Sequence, residues 1–334
     1  MDKRAFSFGR VNEMRPCLFG IAIFLIMIFH SPVVLVTYNV RFFKVFCNIG
    51  VEMFLVLSAI GLYRSRKNDR RLWPFYRKRI ERTVLPLLPV VLVWFGYFDL
   101  LGGAGWRAFF TDVTLLTFWT KGFRTEWFVA LILVLYAVYP LLWRLRTAKL
   151  GALWMWLLIA AFVLLNAVWA RFSPVSYERT EIAFSRVPSF LLGLLAAPWC
   201  EEGKKAPRGT GAALLALFVV LFAFKFLHYL VKPWSRLINA PLGFLLTVLL
   251  AQLCAAVKDA PVLRSAERFF AFLGGFTLEL YLLHEKVLYC LLRLGVPRIW
   301  RGTLVSALAI ALAIPIAWCY SRVCAGVRAR LPRK

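Results

Sequence analysis

Long apolar runs separated by short polar connections occupy almost the whole chain. Each run is close to the ~20 residues that an α-helix needs to cross a bilayer. The connections contain no Gly/Ser/Pro-rich linker that would separate two domains, so a single domain over residues 1–334 is expected. The pattern predicts an all-α polytopic membrane helix bundle of about ten transmembrane helices, over 17–37, 46–63, 83–101, 126–144, 151–171, 184–200, 209–230, 238–257, 272–292 and 302–325.

The composition supports a membrane setting. Hydrophobic residues make up 61% of the chain, charged residues make up 17%, and the mean hydropathy is +0.73, which together argue against a soluble globular domain. The seven cysteines include no CxxC pair and mostly lie within or at the edges of the apolar runs. We therefore expect neither a disulfide framework nor a metal site.

The basic residues are distributed unevenly between the two sides of the predicted bundle. With the N-terminus inside, 27 of the 42 Lys and Arg residues fall in or beside cytoplasmic connections and 14 fall on the external side. Ten spans then place both termini in the cytoplasm. The net charge of +26 follows from cations that flank apolar spans, so we expect contact with anionic lipid headgroups and no nucleic acid.

Two ionisable side chains interrupt the first two apolar runs. A buried histidine or carboxylate inside a membrane is costly and tends to mark a functional site. If the turn between the runs is centred near Arg41, His30 lies eleven residues before it and Glu52 eleven residues after it. An antiparallel helix pair would then carry them at similar depth. A base and a carboxylate are thus predicted to meet within the membrane.

Five segments of the chain form an ordered set of motifs. They are FGIAIFLIMIFH (19–30), GVEMFLVLS (50–58), FYRKRIERTVLP (75–86) with its Arg-x-x-Arg element, EWF (126–128) and YLLHE (281–285). In residue type, order and approximate spacing, from residue 19 to about residue 290, these segments resemble the acyltransferase type 3 family of bacterial integral-membrane acyltransferases, which modify sugars and other extracytoplasmic acceptors.

One position departs from the family pattern. The family usually has an arginine eleven positions before the first-helix histidine, where this chain has Phe19, with Arg15 one turn earlier. Two interpretations stay open: Arg15 acts from a different height, or the entrance to the active site is built differently.

The resemblance implies roles for particular residues. His30 would act as the general base that accepts the proton of an acceptor hydroxyl during its attack on a thioester, and Glu52 would orient and stabilise the imidazole. Arg79 and Arg82, three residues apart on one helix, would hold the phosphates of the acyl-coenzyme A donor. Direct transfer and an acyl-enzyme intermediate both remain open.

Two further residues are predicted to line the substrate cavity. His284 lies about twelve residues into its predicted span, comparable with the depth of His30, so the two imidazoles could share one cavity. Glu126 begins the fourth predicted helix, where a carboxylate also favours the helix dipole.

The function implied is an integral-membrane O-acyltransferase of the bacterial cytoplasmic (inner) membrane. It would move an acyl group, acetyl in the simplest case, from cytoplasmic acyl-CoA to a hydroxyl of a carbohydrate or lipid-linked glycan, without a metal. A proton-coupled transporter or exporter, with His30, Glu52, Glu279 and His284 relaying protons, is the alternative. An inactive scaffold for a polysaccharide-assembly machine ranks last.

Overall fold

A computed structural model describes residues 6–32, 38–228, 234–258, 260–294 and 302–331. In these residues a short 3₁₀ turn occupies Cys47–Ile49 and a π-helical turn occupies Gly96–Leu101. The α-helices are α1 (Arg10–Glu13), α2 (Arg15–His30), α3 (Tyr38–Phe46), α4 (Gly50–Asn68), α5 (Leu72–Phe95), α6 (Trp106–Val113), α7 (Leu116–Lys121), α8 (Trp127–Thr147), α9 (Gly151–Phe172), α10 (Pro174–Phe184), α11 (Val187–Glu201), α12 (Thr210–His228), α13 (Trp234–Leu237), α14 (Asn239–Val257), α15 (Pro261–Leu273), α16 (Thr277–Arg293) and α17 (Thr303–Arg330).

Eight helical segments in the described part of the chain are long and apolar enough to cross a membrane. They overlap eight of the ten predicted spans, all except 17–37 and 272–292. The described residues form no β-strand, although an isolated β-bridge joins Ser7 to Lys205. The prediction of an all-helical, multi-pass membrane protein is therefore confirmed. The total of ten spans and the cytoplasmic position of both termini stay predictions.

The first and ninth predicted spans differ from the structure. Helix α2 is apolar but has 16 residues and ends at His30, and residues 33–37 of the predicted span lie outside the described residues. The predicted helix 272–292 is interrupted, because Gly274 and Gly275 separate α15 from α16. A Cβ on Gly274 would lie 1.9 Å from the carbonyl oxygen of Pro16, so this turn can pass the start of α2 only with a glycine.

The described chain divides into two compact units, and each is described by itself. The first unit comprises Met1–Asp69, Trp143–Ala167 and Ser185–Thr277. Its central element is α4, which packs against α2, α11 and α14, while α15 packs against α2. The interior is formed by small and aliphatic side chains such as Leu18, Leu57 and Ala197, and these close contacts hold the helix that carries Glu52.

The second unit comprises Arg70–Leu142, Val168–Phe184 and Leu278–Lys334. Helix α5 contacts α6 and α17, α6 contacts α7, and α7 contacts α10. The Phe75 and Tyr139 rings stack at 5.6 Å between centroids, and the Tyr320 hydroxyl of α17 donates to the Pro86 carbonyl of α5 at 2.7 Å. The single domain predicted over residues 1–334 stays a prediction.

Candidate functional site

His30 is the last residue of α2. Its ring lies beside the ring of Phe29 with centroids 4.9 Å apart, and the imidazole is half-buried. The next residue, Ser31, closes the helix, because its amide and its hydroxyl both donate to the carbonyl of Ile28, at 3.2 Å and 2.7 Å. His30 was expected thirteen residues into a longer helix and instead lies at a helix end. Its role as the base stays a prediction.

Glu52 lies in the first turn of α4 and is buried, with 1% of its side chain exposed. Its Oε1 atom forms an ion pair with Nε of Arg186 at 3.3 Å, and Arg186 is itself 2% exposed. A Cβ on Gly243 would lie 2.3 Å from Cβ of Glu52, so α14 passes closely over this carboxylate. The structure thus gives Glu52 a cationic partner. Its predicted pairing with His30 stays a prediction.

A second buried cation lies near Glu52. Lys225 of α12 is 5% exposed, and its ammonium interacts electrostatically with Glu52, Arg186 and Arg236. Sequence reasoning missed Arg186 and Lys225 as site residues because both were counted among the external basic residues near helix ends. Their positions beside or within apolar helices were the signal that could have identified them.

Arg15 lies one helical turn before Phe19, the position at which this chain departs from the family pattern. Its guanidinium carbon stands 5.2 Å from the ring centroid of Phe19, and its Nη2 donates to the carbonyl of Leu57 at 3.2 Å. A Cβ on Gly61 would fall 1.7 Å from Nη2 of Arg15, so this glycine leaves room for the guanidinium against α4. The Arg15 guanidinium therefore lies beside the Phe19 ring and against α4, and both interpretations of the departure stay predictions.

The structure separates the two arginines of the Arg-x-x-Arg element. The guanidinium of Arg79 lies among aromatic rings, 5.2 Å from the Phe75 centroid and 5.8 Å from the Tyr136 centroid. Arg82 is exposed and lines a cleft of about 880 Å³ in the second unit. The two side chains therefore have different surroundings, although they lie on one helix.

This cleft, called here the basic cleft, is lined by the first turns of α5 and the last turns of α17. Its charged residues are Arg77, Lys78, Glu81, Arg82 and Arg328. Nε of Arg77 donates to Oε1 of Glu81 at 2.6 Å, which orients both side chains along α5. With four cations and one carboxylate among these residues, the basic cleft can attract a polyanionic ligand.

Glu126 precedes α8 and is 4% exposed. Its Oε1 accepts a hydrogen bond from the ammonium of Lys286 on α16, and the same ammonium lies 5.2 Å from the ring centroid of Trp94. Lys286 was the basic residue that the count of Lys and Arg assigned to neither side of the membrane. Its position within an apolar span was the feature that could have identified it as a site residue.

His284 is buried in α16, and its Nδ1 atom lies 2.9 Å from the carbonyl oxygen of Leu280 and 2.8 Å from that of Tyr281. Because carbonyl oxygens can only accept hydrogen bonds, this geometry assigns a proton to Nδ1, which donates to the backbone of its own helix and orients the ring. The cavity predicted to be shared by His30 and His284 stays a prediction.

The model of one protein family, described as an acyltransferase domain, matches residues 20–322. The match includes all six residues predicted for the site: His30, Glu52, Arg79, Arg82, Glu126 and His284. No curated protein and no solved structure matches the chain.

Proposed function

The chain belongs to the acyltransferase type 3 family and is therefore a membrane acyltransferase, and on that premise we propose its donor, its acceptor and its catalytic residues. The donor is cytoplasmic acyl-coenzyme A, with acetyl as the simplest acyl group. The acceptor is a hydroxyl of a carbohydrate or a lipid-linked glycan. The protein would act in the cytoplasmic membrane of a bacterium.

The basic cleft is the observation that carries the choice of donor. Coenzyme A bears several phosphate charges, and arginine is well suited to bind phosphate through paired hydrogen bonds. Arg82 and Arg328 line the cleft together with Lys78, and a volume of about 880 Å³ is within the range of pockets that hold ligands larger than a single ring. Residues 64–82 and 322–334 are both predicted to be cytoplasmic, which is where acyl-CoA is found.

His30 supplies the base in this proposal. Its imidazole accepts the proton of the acceptor hydroxyl while the oxygen attacks the thioester carbonyl carbon and forms the new C–O bond. The C–S bond then breaks, and the proton passes to the leaving thiolate to give free coenzyme A. The products are an ester of the acceptor and a thiol, so release of the thiol reports each turnover.

The test is thiol release and label transfer from radiolabelled acetyl-CoA by purified protein in nanodiscs, with a membrane glycolipid extract as acceptor. We expect His30→Ala to lower the rate by about 10²–10⁴-fold, the usual contribution of a general base. His228→Ala is the matched control, because His228 is exposed and its ring stacks on Phe224. It should keep the wild-type rate.

The same assay tests the basic cleft. Arg82→Gln removes a charge that lines it, and we expect the KM for acetyl-CoA to rise about fivefold with kcat unchanged, the effect of losing one partly solvated hydrogen bond to phosphate. Arg144→Gln, at an exposed arginine outside the cleft, should leave both constants unchanged. A folded wild-type protein that neither binds acetyl-CoA nor releases thiol would overturn the proposal and favour the proton-coupled transporter.

A further inference from the structure

A second cavity lies in the second unit, between the end of α5 and the segment from α6 to the start of α8. Its volume is about 260 Å³. This aromatic–acidic pocket is lined by apolar rings, including Trp94 and Phe98, and by the polar side chains of Asp99, Asp112, Thr117 and Glu126. Pockets that bind small molecules combine mostly apolar walls with a few directed polar groups, and this pocket has that composition.

Two polar atoms in the pocket wall have no hydrogen-bond partner among the described residues. They are Oδ2 of Asp99 and Oγ1 of Thr117. Both side chains are more than nine-tenths buried, with 7% of Asp99 and 3% of Thr117 exposed. Buried polar atoms are almost always hydrogen-bonded, because leaving one unsatisfied is costly. A ligand that supplies hydrogen bonds to both atoms would remove that cost.

The other carboxylates of the pocket already have partners. Asp112 lies close enough to Asp99 for their carboxyl groups to share a hydrogen bond. Glu126 is paired with Lys286, whose ammonium also lies over Trp94 and so holds that ring in the wall. The atoms that remain for a ligand are therefore one carboxyl oxygen and one hydroxyl, next to aromatic surface.

The pocket as a whole suits a hydroxylated ring better than a metal ion. Oδ2 of Asp99 can accept a hydrogen bond from a ligand hydroxyl, and the Thr117 hydroxyl can donate to a ligand oxygen or accept from it. A metal ion would bind the two oxygens but would leave the apolar rings that form most of the wall without a packing partner. The rings of Trp94 and Phe98 can cover the C–H faces of a sugar. A volume below the ~300 Å³ of the smallest drug-sized pockets limits the ligand to about one ring.

We propose that the aromatic–acidic pocket binds one sugar ring of the acceptor glycan, held by Asp99 and Thr117 and packed against Trp94. The inference rests on the proposed function, because it identifies where that acceptor is held. The connection 102–125, which supplies Asp112 and Thr117, is predicted to be external. The pocket is therefore expected on the side from which an extracytoplasmic glycan arrives.

The experiment is saturation-transfer NMR on the full-length protein in nanodiscs, without acyl-CoA. The probes are methyl glycosides of glucose, galactose, mannose, rhamnose and N-acetylglucosamine, with tetramethylammonium chloride as the cationic probe. We expect at least one glycoside to bind. Its affinity should fall about fivefold in Thr117→Val, which removes one neutral hydrogen bond, and by a similar factor in Asp99→Asn, which replaces a carboxyl oxygen with an amide nitrogen that cannot accept a hydrogen bond.

Thr120→Val is the matched control. Thr120 lies on the same helix, is exposed, and donates its hydroxyl to the Leu116 carbonyl at 2.9 Å outside the pocket. It should bind the glycoside like the wild type. The thermal unfolding midpoint of each variant, measured beside the wild type in the same nanodiscs, shows that each variant is folded.

Three results would overturn the inference: no glycoside binds the wild type, binding is unchanged in Asp99→Asn and Thr117→Val, or tetramethylammonium binds and these two substitutions abolish it. The failures of the two proposals are distinguishable. Acyl transfer to the glycolipid extract without glycoside binding at this pocket would leave the proposed function intact. Glycoside binding by a protein that transfers no acyl group would instead refute the proposed function.

Discussion

Glu52 and Arg186 bring opposite charges together inside the first unit, where neither side chain has more than 2% of its surface exposed. Removing charges from water is expensive, and a buried pair is tolerable only while both partners remain. Lys225 interacts with both residues, so Glu52 is a carboxylate that two buried cations share. This arrangement supports a structural contribution from Glu52, whatever its effect on His30.

Substitutions of the pair are expected to lower stability unequally. Glu52→Gln leaves Arg186 and Lys225 together without the carboxylate they share, whereas Arg186→Met leaves Glu52 with Lys225. Breaking a buried pair costs about 3–5 kcal/mol. The thermal unfolding midpoint in detergent should therefore fall in both variants, and further in Glu52→Gln. An unchanged midpoint with lost acyl transfer in Glu52→Gln would show that this carboxylate acts in catalysis alone.

Sequence reasoning at the residue scale identified His30 and Glu52 because each interrupts an apolar run. The same criterion applied to Lys225 and Lys286, but Lys225 was counted as an external charge and Lys286 was assigned to neither side of the membrane. Arg186 was also counted as an external charge, because it lies between α10 and α11 at the edge of an apolar run. Ion-pair partners come from helices far apart in the chain, so their identity depends on packing.

At the scale of the helix, glycines determine how closely the elements of the first unit approach. A Cβ on Gly193 of α11 would lie 2.6 Å from the carbonyl oxygen of Val56 and 2.8 Å from its Cα. The neighbouring atoms belong to the backbone of α4 and cannot move without shifting that helix. Close packing over small residues is a common basis of helix association in membranes.

Replacing glycine by alanine should therefore have opposite effects at two helical positions. Gly193→Ala is expected to destabilise the protein by about 1–3 kcal/mol through overpacking against α4. Gly326→Ala on α17 meets no atom within 4 Å and should stabilise it by about 0.5–1 kcal/mol, since alanine favours a helix.

The measurement is the thermal unfolding midpoint of both variants beside the wild type in one detergent. Equal midpoints for Gly193→Ala and Gly326→Ala would contradict the close approach of α4 and α11.

For the whole molecule, the arrangement across the membrane follows from the distribution of basic residues. Helix α5 begins within the basic segment 64–82, and the π-helical turn that follows it leads into the connection 102–125. The first holds nine Lys and Arg residues and the second holds three, so the first is expected in the cytoplasm.

Reporter insertions test this orientation. Alkaline phosphatase, which is active only outside the cytoplasm, should be inactive after Asp69 and active after Gly103. Gly103 is an open position, with no atom within 4 Å of an added Cβ. Fluorescent protein fused after Lys334 should be bright, because it matures in the cytoplasm. The opposite pattern would place the basic cleft on the external side and remove the support for a cytoplasmic acyl-CoA donor.

The sequence alone determined that this protein is an all-helical membrane protein, because apolar length and charge asymmetry are local properties that the bilayer enforces on each segment. Its ordered motifs also identified the family, with His30 and Glu52 among them. Tertiary structure alone decided that Arg186 pairs with Glu52, that Lys286 pairs with Glu126, and that Arg82 lines a cleft while Arg79 lies among aromatic rings. Contacts of this kind depend on which helix faces meet, and helical periodicity sets the faces of one helix but not their partners.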